Sequence, residues 1–462
     1  MREPIQIVEL VQDFCANTYG VLPCTASGSD KCFNTRSTCQ DTANYNLSSK
    51  TLRFAKSRNN LPTEEYIIPS LVSVSTNPTI INIANGAQDQ KPLGVRATAT
   101  FVFQDAPHTD RIVDPYRSDR NYDPLDRSTF WAKWIARNPY YQNRVIRVLD
   151  GYVGESLASM TKREYFIDSI TGPDANGRVT IKARDVLMLA DDKKAQAPAV
   201  SEGELIEDEP AVDTTLRITG AEASEYPAPG VVRVGDELIR YTGVSTISGT
   251  EINLTGCTRG SDNTEAADHS SGDRVQWCLV FNLANCVDAA RDLLEYYTTI
   301  DPSYIDTTEW NTERDAWLNQ FDVSTIISEP TGVTTLLGEL TEQCLFYIWW
   351  DERQQKIRLK AVRPVTETPV KMNDDQNIIA NSTNIMQESR ERISQVWVFW
   401  GRDVPTKDLS DEQNYTRLRI GADLTRESDE LYGEQVIRKV FSRWIVSNGQ
   451  AVTLATRMLA RY

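Results

Sequence analysis

Histidine is scarce in this chain, with two in 462 residues, His108 and His269. That leaves little room for metal sites or acid–base chemistry built on imidazole. Basic residues are also in deficit, 49 Lys and Arg against 65 Asp and Glu, for a formal charge of −16. Proteins that grip phosphate backbones do so with Lys and Arg, so the balance argues against that class. It is compatible with an acidic wall past which nucleic acid slides without sticking. No stretch reaches the roughly 18–20 uninterrupted apolar residues of a membrane helix, and no stable membrane insertion is expected. The opening MREPIQIVEL lacks the basic region and apolar run of a secretory signal. Folding in a reducing cytosol is therefore the expectation, and there closely spaced cysteines read as metal ligands before disulfides.

What is present fits a folded protein: 25% charged and 40% apolar residues, on a chain long enough for several domains. Residues 1–48 are rich in Cys, Thr, Asn, Ser and Gly and cannot bury much apolar surface, so something else must order them. From 49 to 190 the pattern is β-like, with runs at Ile67–Val74, Val95–Phe103, Arg144–Val153 and Val179–Ala183. A hairpin turn is expected at 172–177 (GPDANG), and one helix at Ser128–Ala136. Residues 191–213 are charged and broken by Ala-Pro and Glu-Pro, which reads as a linker or extended connection. Short strands punctuated by Gly and Asp then suggest a small inserted β-module at 214–278. Beyond it, 279–344 reads as an α+β connecting domain with amphipathic helices at Leu283–Tyr297 and Thr331–Cys344. Residues 345–462 bring strands at Leu345–Trp350, Ile357–Val362, Ser394–Trp400 and Gln435–Val446, and a helix from Gln450 to Tyr462. The expected fold class is a mixed, β-rich α+β multidomain protein.

Four cysteines crowd the first segment as Cys15-x8-Cys24-x7-Cys32-x6-Cys39. Thiolates bind soft metals strongly, and four within one short segment can close a single tetrahedral or cuboidal site. Structural zinc favours tight C-x2-4-C knuckles around one ion, whereas these longer loops suit a larger cuboid. The spacing by itself leaves iron–sulfur and zinc both open, with disulfides or free thiols behind them. Gly20, Pro23 and Gly28 can supply turns, and Phe14, Tyr19, Phe33 and Tyr45 can shield a centre from water. Cys257, Cys278, Cys286 and Cys344 are scattered among apolar neighbours and read as buried free thiols.

The segment Glu3–Tyr45, with CxxxYG, PCTA, KCFNTRxTCQD and NY in order, resembles the cysteine-rich domain of siphophage tail-tip proteins. These include the tail-tip protein of lambda-like phages and the baseplate hub of gene transfer agents. LGVRATATFVFQD, STFWAKWIARNPYY and ITGPDANGRVTIKARDVLMLA are similar to hub sequences. GVVRVGDELIRYTGV with CTRGSDNTEAADHSSGD resembles a small β-module of tail proteins, and WWDERQQKIRL the later hub domains. The resemblance implies that Cys15, Cys24, Cys32 and Cys39 bind a 4Fe–4S cluster, with zinc as the alternative. It also implies a small N-terminal four-cysteine cluster domain and tail-tube-like β-barrel hub domains at 49–190 and 345–462. Such a hub is a homotrimer in the virion tail tip or baseplate, assembled in the host cytoplasm. Its partners would be a distal tail protein or tail tube ring, the tape measure protein and central tip or fibre proteins. DNA would pass through its lumen without specific binding. One departure matters: in the lambda-like protein the cysteine domain is C-terminal, whereas here it leads the chain.

The chain is expected not to be an enzyme. The alternatives are a tail-associated cell-wall hydrolase, which needs a Cys–His pair, a zinc site or paired carboxylates, and a redox iron–sulfur protein. His108, in QDAPHTD, reads as a surface-loop histidine, and His269, in ADHSSGD, as a turn-stabilising one. The six carboxylates in Glu202–Asp213 read as a solvated linker. The module at 214–278 could contact a receptor through Tyr226 and Tyr241, although core packing is the ordinary use of such residues. The tryptophans suit cores and subunit interfaces.

Overall fold

The computed structural model describes residues 3–59, 61–62, 65–81, 93–191, 195–364, 368, 371–373, 376–379, 382, 392–428 and 433–461. The chain is β-rich, 37% strand against 19% helix, and forms several sheets with no closed barrel among these residues. It divides into two compact units, one of Met1–Ile80, Arg96–Met188 and Trp350–Ile357, the other of Ile81–Val95, Leu189–Trp349 and Arg358–Tyr462.

The first unit is built on eight strands: β1 (Pro4–Cys15), β2 (Leu47–Ala55), β3 (Ile67–Ile68), β4 (Leu71–Asn77), β5 (Thr98–Gln104), β6 (Val145–Tyr152), β7 (Thr161–Thr171) and β8 (Arg178–Arg184). They form one sheet in the order β3-β2-β1-β6-β7-β8-β5-β4. The terminal strands β3 and β4 are consecutive in the chain, separated by Pro69 and Ser70 alone. The sheet therefore curls until its two ends are tied covalently, but no ladder joins them. Here the tube-like β-barrel expected for 49–190 becomes an open rolled sheet. Pro69 has no N–H to donate and β3 spans only two residues, so the seam cannot zip. The single run expected at Ile67–Val74 is split by the same proline.

Alternation fills the inside of the roll. In β5, Ala99, Phe101 and Phe103 are buried while their neighbours are half-buried. Together with Val8, Leu10, Leu52, Phe54, Ile146, Val148, Val179 and Ile181 they form one core. Helix α1 (Phe130–Arg137) closes it, packing Phe130, Trp131 and Trp134 inward. The Thr129 side chain makes no cap for this helix; instead the Trp131 N–H donates to the Asp105 carboxylate just beyond β5, at 2.8 Å. The turn between β7 and β8 is held by Asp174 Oδ1, which accepts from the N–H groups of Asn176 and Arg178, each at 2.8 Å. Gly172 is required there: its φ is +106°, and a Cβ would lie 2.3 Å from the Arg178 carbonyl.

The second unit begins with β9 (Gln196–Ala197) and β10 (Glu204–Leu205). Within residues 195–213 the connection is extended but packed: Leu205 and Glu209 are buried, and β10 pairs with β11 (Thr215–Thr219). Residues 192–194 lie outside the described residues. The module continues through β12 (Gly230–Val234), β13 (Glu237–Tyr241), β14 (Gly243–Ser248), β15 (Glu251–Thr255) and β16 (Gln276–Trp277). Two sheets, β10-β11-β15-β14 and β13-β12-β16, enclose a core that includes Tyr226 and Tyr241, at 0% and 1% exposure. Their hydroxyls donate inward to the carbonyls of Val275 and Pro227, so both are core residues.

The remaining elements are β17 (Leu279–Asn285), α2 (Cys286–Tyr297), α3 (Thr307–Glu313), β18 (Asp322–Ile327), β19 (Thr331–Gly332), α4 (Val333–Cys344), β20 (Phe346–Asp351), β21 (Lys356–Ala361), β22 (Gln395–Arg402), β23 (Tyr415–Ala422), β24 (Ile437–Phe441) and α5 (Asn448–Arg461), with Trp350–Ile357 of β20 and β21 counted in the first unit. Asn285 caps α2 by accepting the Val287 N–H at 3.0 Å. Within 345–462 the strands form a two-stranded hairpin and a three-stranded sheet, β23-β22-β24. No barrel closes there either among the described residues. Tyr462, the expected end of the last helix, lies outside them.

Candidate functional site

The chain leaves the central strand β1 at Cys15 and returns to the sheet at Leu47, the start of β2. Cys24, Cys32 and Cys39 all lie in this excursion. Cys15 is fixed at its root, where its N–H donates to the Asn34 carbonyl at 2.7 Å and the Asn34 side chain donates to the Cys15 carbonyl at 3.3 Å. Cys24 closes a turn onto the Val21 carbonyl at 2.9 Å, and Cys39 ends a single 3-10 turn over Arg36–Thr38. All four are half-buried free thiols. Burial pushes the Cys32 thiol up, and the thiols of Cys39, Cys15 and Cys24 add to the shift. Among the described residues no group of three or more His, Cys, Asp or Glu is set to hold a metal ion.

The aromatic residues picked out as shields, Phe14, Tyr19, Phe33 and Tyr45, are half-buried. Tyr45 is pushed up to about 12 by burial, with Asp13 and Cys15 contributing. Its hydroxyl is buried without a hydrogen-bond partner. Tyr19 donates through its hydroxyl to Gln40 Oε1 at 2.8 Å and through its N–H to the Tyr116 hydroxyl at 2.7 Å.

What holds the excursion comes from residues that sequence reasoning did not single out. Arg120 donates to the Lys31 carbonyl and, at 2.9 Å, to the Cys32 carbonyl. The same guanidinium binds Asp114 at 2.9 and 3.0 Å and lies over the Phe33 ring, 4.0 Å from its centroid. Arg137 lies over that ring too, at 3.9 Å, and its carbonyl accepts from Ser37 Oγ at 2.5 Å. Phe33 is therefore clamped by two cations. Arg137 and Lys133 both pair with Asp110, each at 2.9 Å. Burial alone would raise the Asp110 carboxyl, but His108, Lys133 and Arg137 outweigh it and hold it at about 2. A faint sequence signal existed in the Arg, Asp and Tyr density of residues 110–122, but nothing local says that this stretch meets Cys32.

His108 lies in a loop, as expected, but is half-buried rather than exposed. Its side chain is 11% exposed, meets the Phe130 ring edge-on at 5.2 Å, and accepts the Asp110 N–H at 3.0 Å. The apolar wall of α1 draws it in. His269 is buried against Glu237, with Nε2 to Oε2 at 2.8 Å. Glu237 also accepts from Arg259 at 2.9 and 2.8 Å and from the N–H groups of Gly260 and Ala267. Burial opposes its charge, yet these donors pull its pKa below the ordinary glutamate value. Every carboxylate lone pair is engaged, so the cluster ties the 256–269 loop to β13 and presents no free base. Of the carboxylates in Glu202–Asp213, Glu209 is buried and accepts the Arg217 N–H at 3.0 Å, which the solvated-linker reading did not anticipate.

Comparison with protein-family models gives no match, and no curated protein matches the chain in sequence.

Proposed function

We propose that this chain is a structural hub of a siphophage tail tip or baseplate, and that Cys15, Cys24, Cys32 and Cys39 hold a 4Fe–4S cluster that orders its first loop. The observation that carries the reading is the cysteine excursion itself. It is a polar loop with almost no apolar core of its own, rooted in a rolled sheet and bearing or flanked by four unpaired, half-buried thiols. Such a loop needs a cross-link to hold one shape, and metal binding supplies folding free energy to segments of this kind. By residue type the donors fit, four free thiols and the orphaned Tyr45 hydroxyl that a cluster could accept from, although no three thiols are set around one point in this structure. When bound, the cluster would act as a rigid four-point fastener. The protein's own residues do the rest: Arg120 grips the Lys31 and Cys32 carbonyls, while Arg120 and Arg137 clamp Phe33.

The rolled sheet supports a tube-like role for the first hub domain, with 345–462 proposed as the second. A trimer can meet a sixfold tail-tube ring if each subunit offers two such surfaces. The outer edges of β3 and β4 have no ladder partner among the described residues, and neighbouring subunits would cover them. At the loop tip, Val21 and Leu22 are exposed, at 57% and 82%, where a distal tail or tip protein would bury them. The hub would bridge the tube ring, tape measure protein and tip or fibre proteins in the virion, with DNA crossing its acidic lumen unbound. The role proposed is non-enzymatic, and the His269–Glu237 pair, with Glu237 saturated by donors, is read as a structural one. Native mass spectrometry and electron cryomicroscopy of the purified chain test this. A threefold ring with both β-regions facing the axis is expected. A stable assembly of any other symmetry would overturn it.

A further inference from the structure

A cation in the second unit, Arg402, has no counter-charge of its own among the described residues. It closes β22, and its guanidinium makes a single hydrogen bond there, to the Lys407 carbonyl. Its Nε is buried without a partner. A guanidinium carries five donors in a fixed fork, and a buried one that stays unpaired is costly.

Tyr415, Glu329 and Glu339 relieve it only in part, and none of them forms an ion pair with it among the described residues. Burial and the adjacent Arg443 both push the Arg402 pKa down. Arg443 has its own carboxylate, Glu339, at 3.0 and 3.2 Å. Glu339 also accepts from the Trp444 indole at 2.8 Å. Two other acidic residues stand nearby, and each is engaged elsewhere. Glu329 lies 3.6 Å from Arg233, and Asp408 accepts the N–H and hydroxyl of Ser410 at 2.7 and 2.6 Å.

Beside Arg402 opens a pocket of about 340 Å³, lined by Ser328, Thr406, Lys407 and Arg443 and also by the carboxylates Glu329 and Asp408, which are engaged with Arg233 and Ser410. That volume is within the range of small-ligand sites. Its cationic donors without a carboxylate partner among the described residues are the Arg402 fork and the Lys407 ammonium, a pairing suited to a planar or tetrahedral oxyanion.

We propose that this pocket binds an oxyanion, a phosphate or carboxylate group, which the Arg402 guanidinium receives and Lys407 helps to neutralise. The proposal is independent of the hub reading.

Isothermal titration of the full chain at pH 7 in chloride buffer, with inorganic phosphate and with acetate as probes, tests it. Saturable binding of at least one probe is expected, weakened by about tenfold or more in Arg402→Gln and less in Lys407→Ala. Binding of phosphate alone would assign a phosphate-bearing ligand, and binding of acetate alone a carboxylate. Either supports the site. Failure of both probes to bind, or undiminished binding in Arg402→Gln, overturns it. Because Arg402 has no internal ion pair to lose, Arg402→Gln should melt no lower than the native chain in buffer free of both probes. A clear fall in melting temperature there would make Arg402 a structural residue and also overturn the proposal.

Discussion

Arg120 is the residue on which the cysteine loop most depends. It satisfies two loop carbonyls, covers Phe33 and neutralises Asp114, whose side chain is 1% exposed. Arg120→Ala would strand a buried carboxylate, and removing one partner of such a pair costs about 3–5 kcal/mol. Chemical denaturation should show that loss, while the conservative Arg120→Lys should keep the charge and lose the fork. Asp110 sets the acid limit of the same region. Its folded carboxyl, at about 2, lies below the ordinary 3.8, so its contribution is complete above about pH 4 and is lost as pH falls through 2. Melting temperatures across that window should drop steeply for the native chain and less steeply for Asp110→Asn. Equal slopes would contradict the assignment.

At the scale of elements, the loop between β1 and β2 is predicted to behave as a part fastened separately from the sheet. Cys32→Ser should lose any brown colour and tail assembly, and amide exchange in residues 16–46 should quicken, while the core strands β5 and β8 keep their protection. Normal infectious tails assembled from the mutant would contradict a structural role for the thiols. Elements with strong local pattern were legible in the sequence. The alternation of β5, the stripe of α1, the Gly172–Gly177 turn and the helices α2, α4 and α5 all stand within a few residues of where periodicity put them. The misses have a common cause. Pro69 splits a continuous β-branched run into strands at opposite ends of the sheet, and a short sequence window cannot show which ends meet. Likewise the Arg120–Phe33–Arg137 clamp joins residues about a hundred positions apart. Glu209 looked like linker because its burial depends on Arg217 and the strand pairing around it.

For the whole molecule, composition gave the right class and little of the topology. Acidic excess and β-rich texture were visible, and the chain is β-rich. The position of β1 inside the first sheet, paired on both sides with β2 and β6, was hidden because it depends on partners distant in sequence. That placement bears on the proposal: a cysteine loop rooted in a central strand passes any rigidity it gains directly to the sheet proposed to face the tube. The most direct measurement is metal and acid-labile sulfide analysis of anaerobically purified chain, with its visible absorption spectrum. The account predicts about four irons and about four sulfides per chain and a broad iron–sulfur absorbance. Stoichiometric zinc, or a folded and assembly-competent chain with no metal at all, would contradict it.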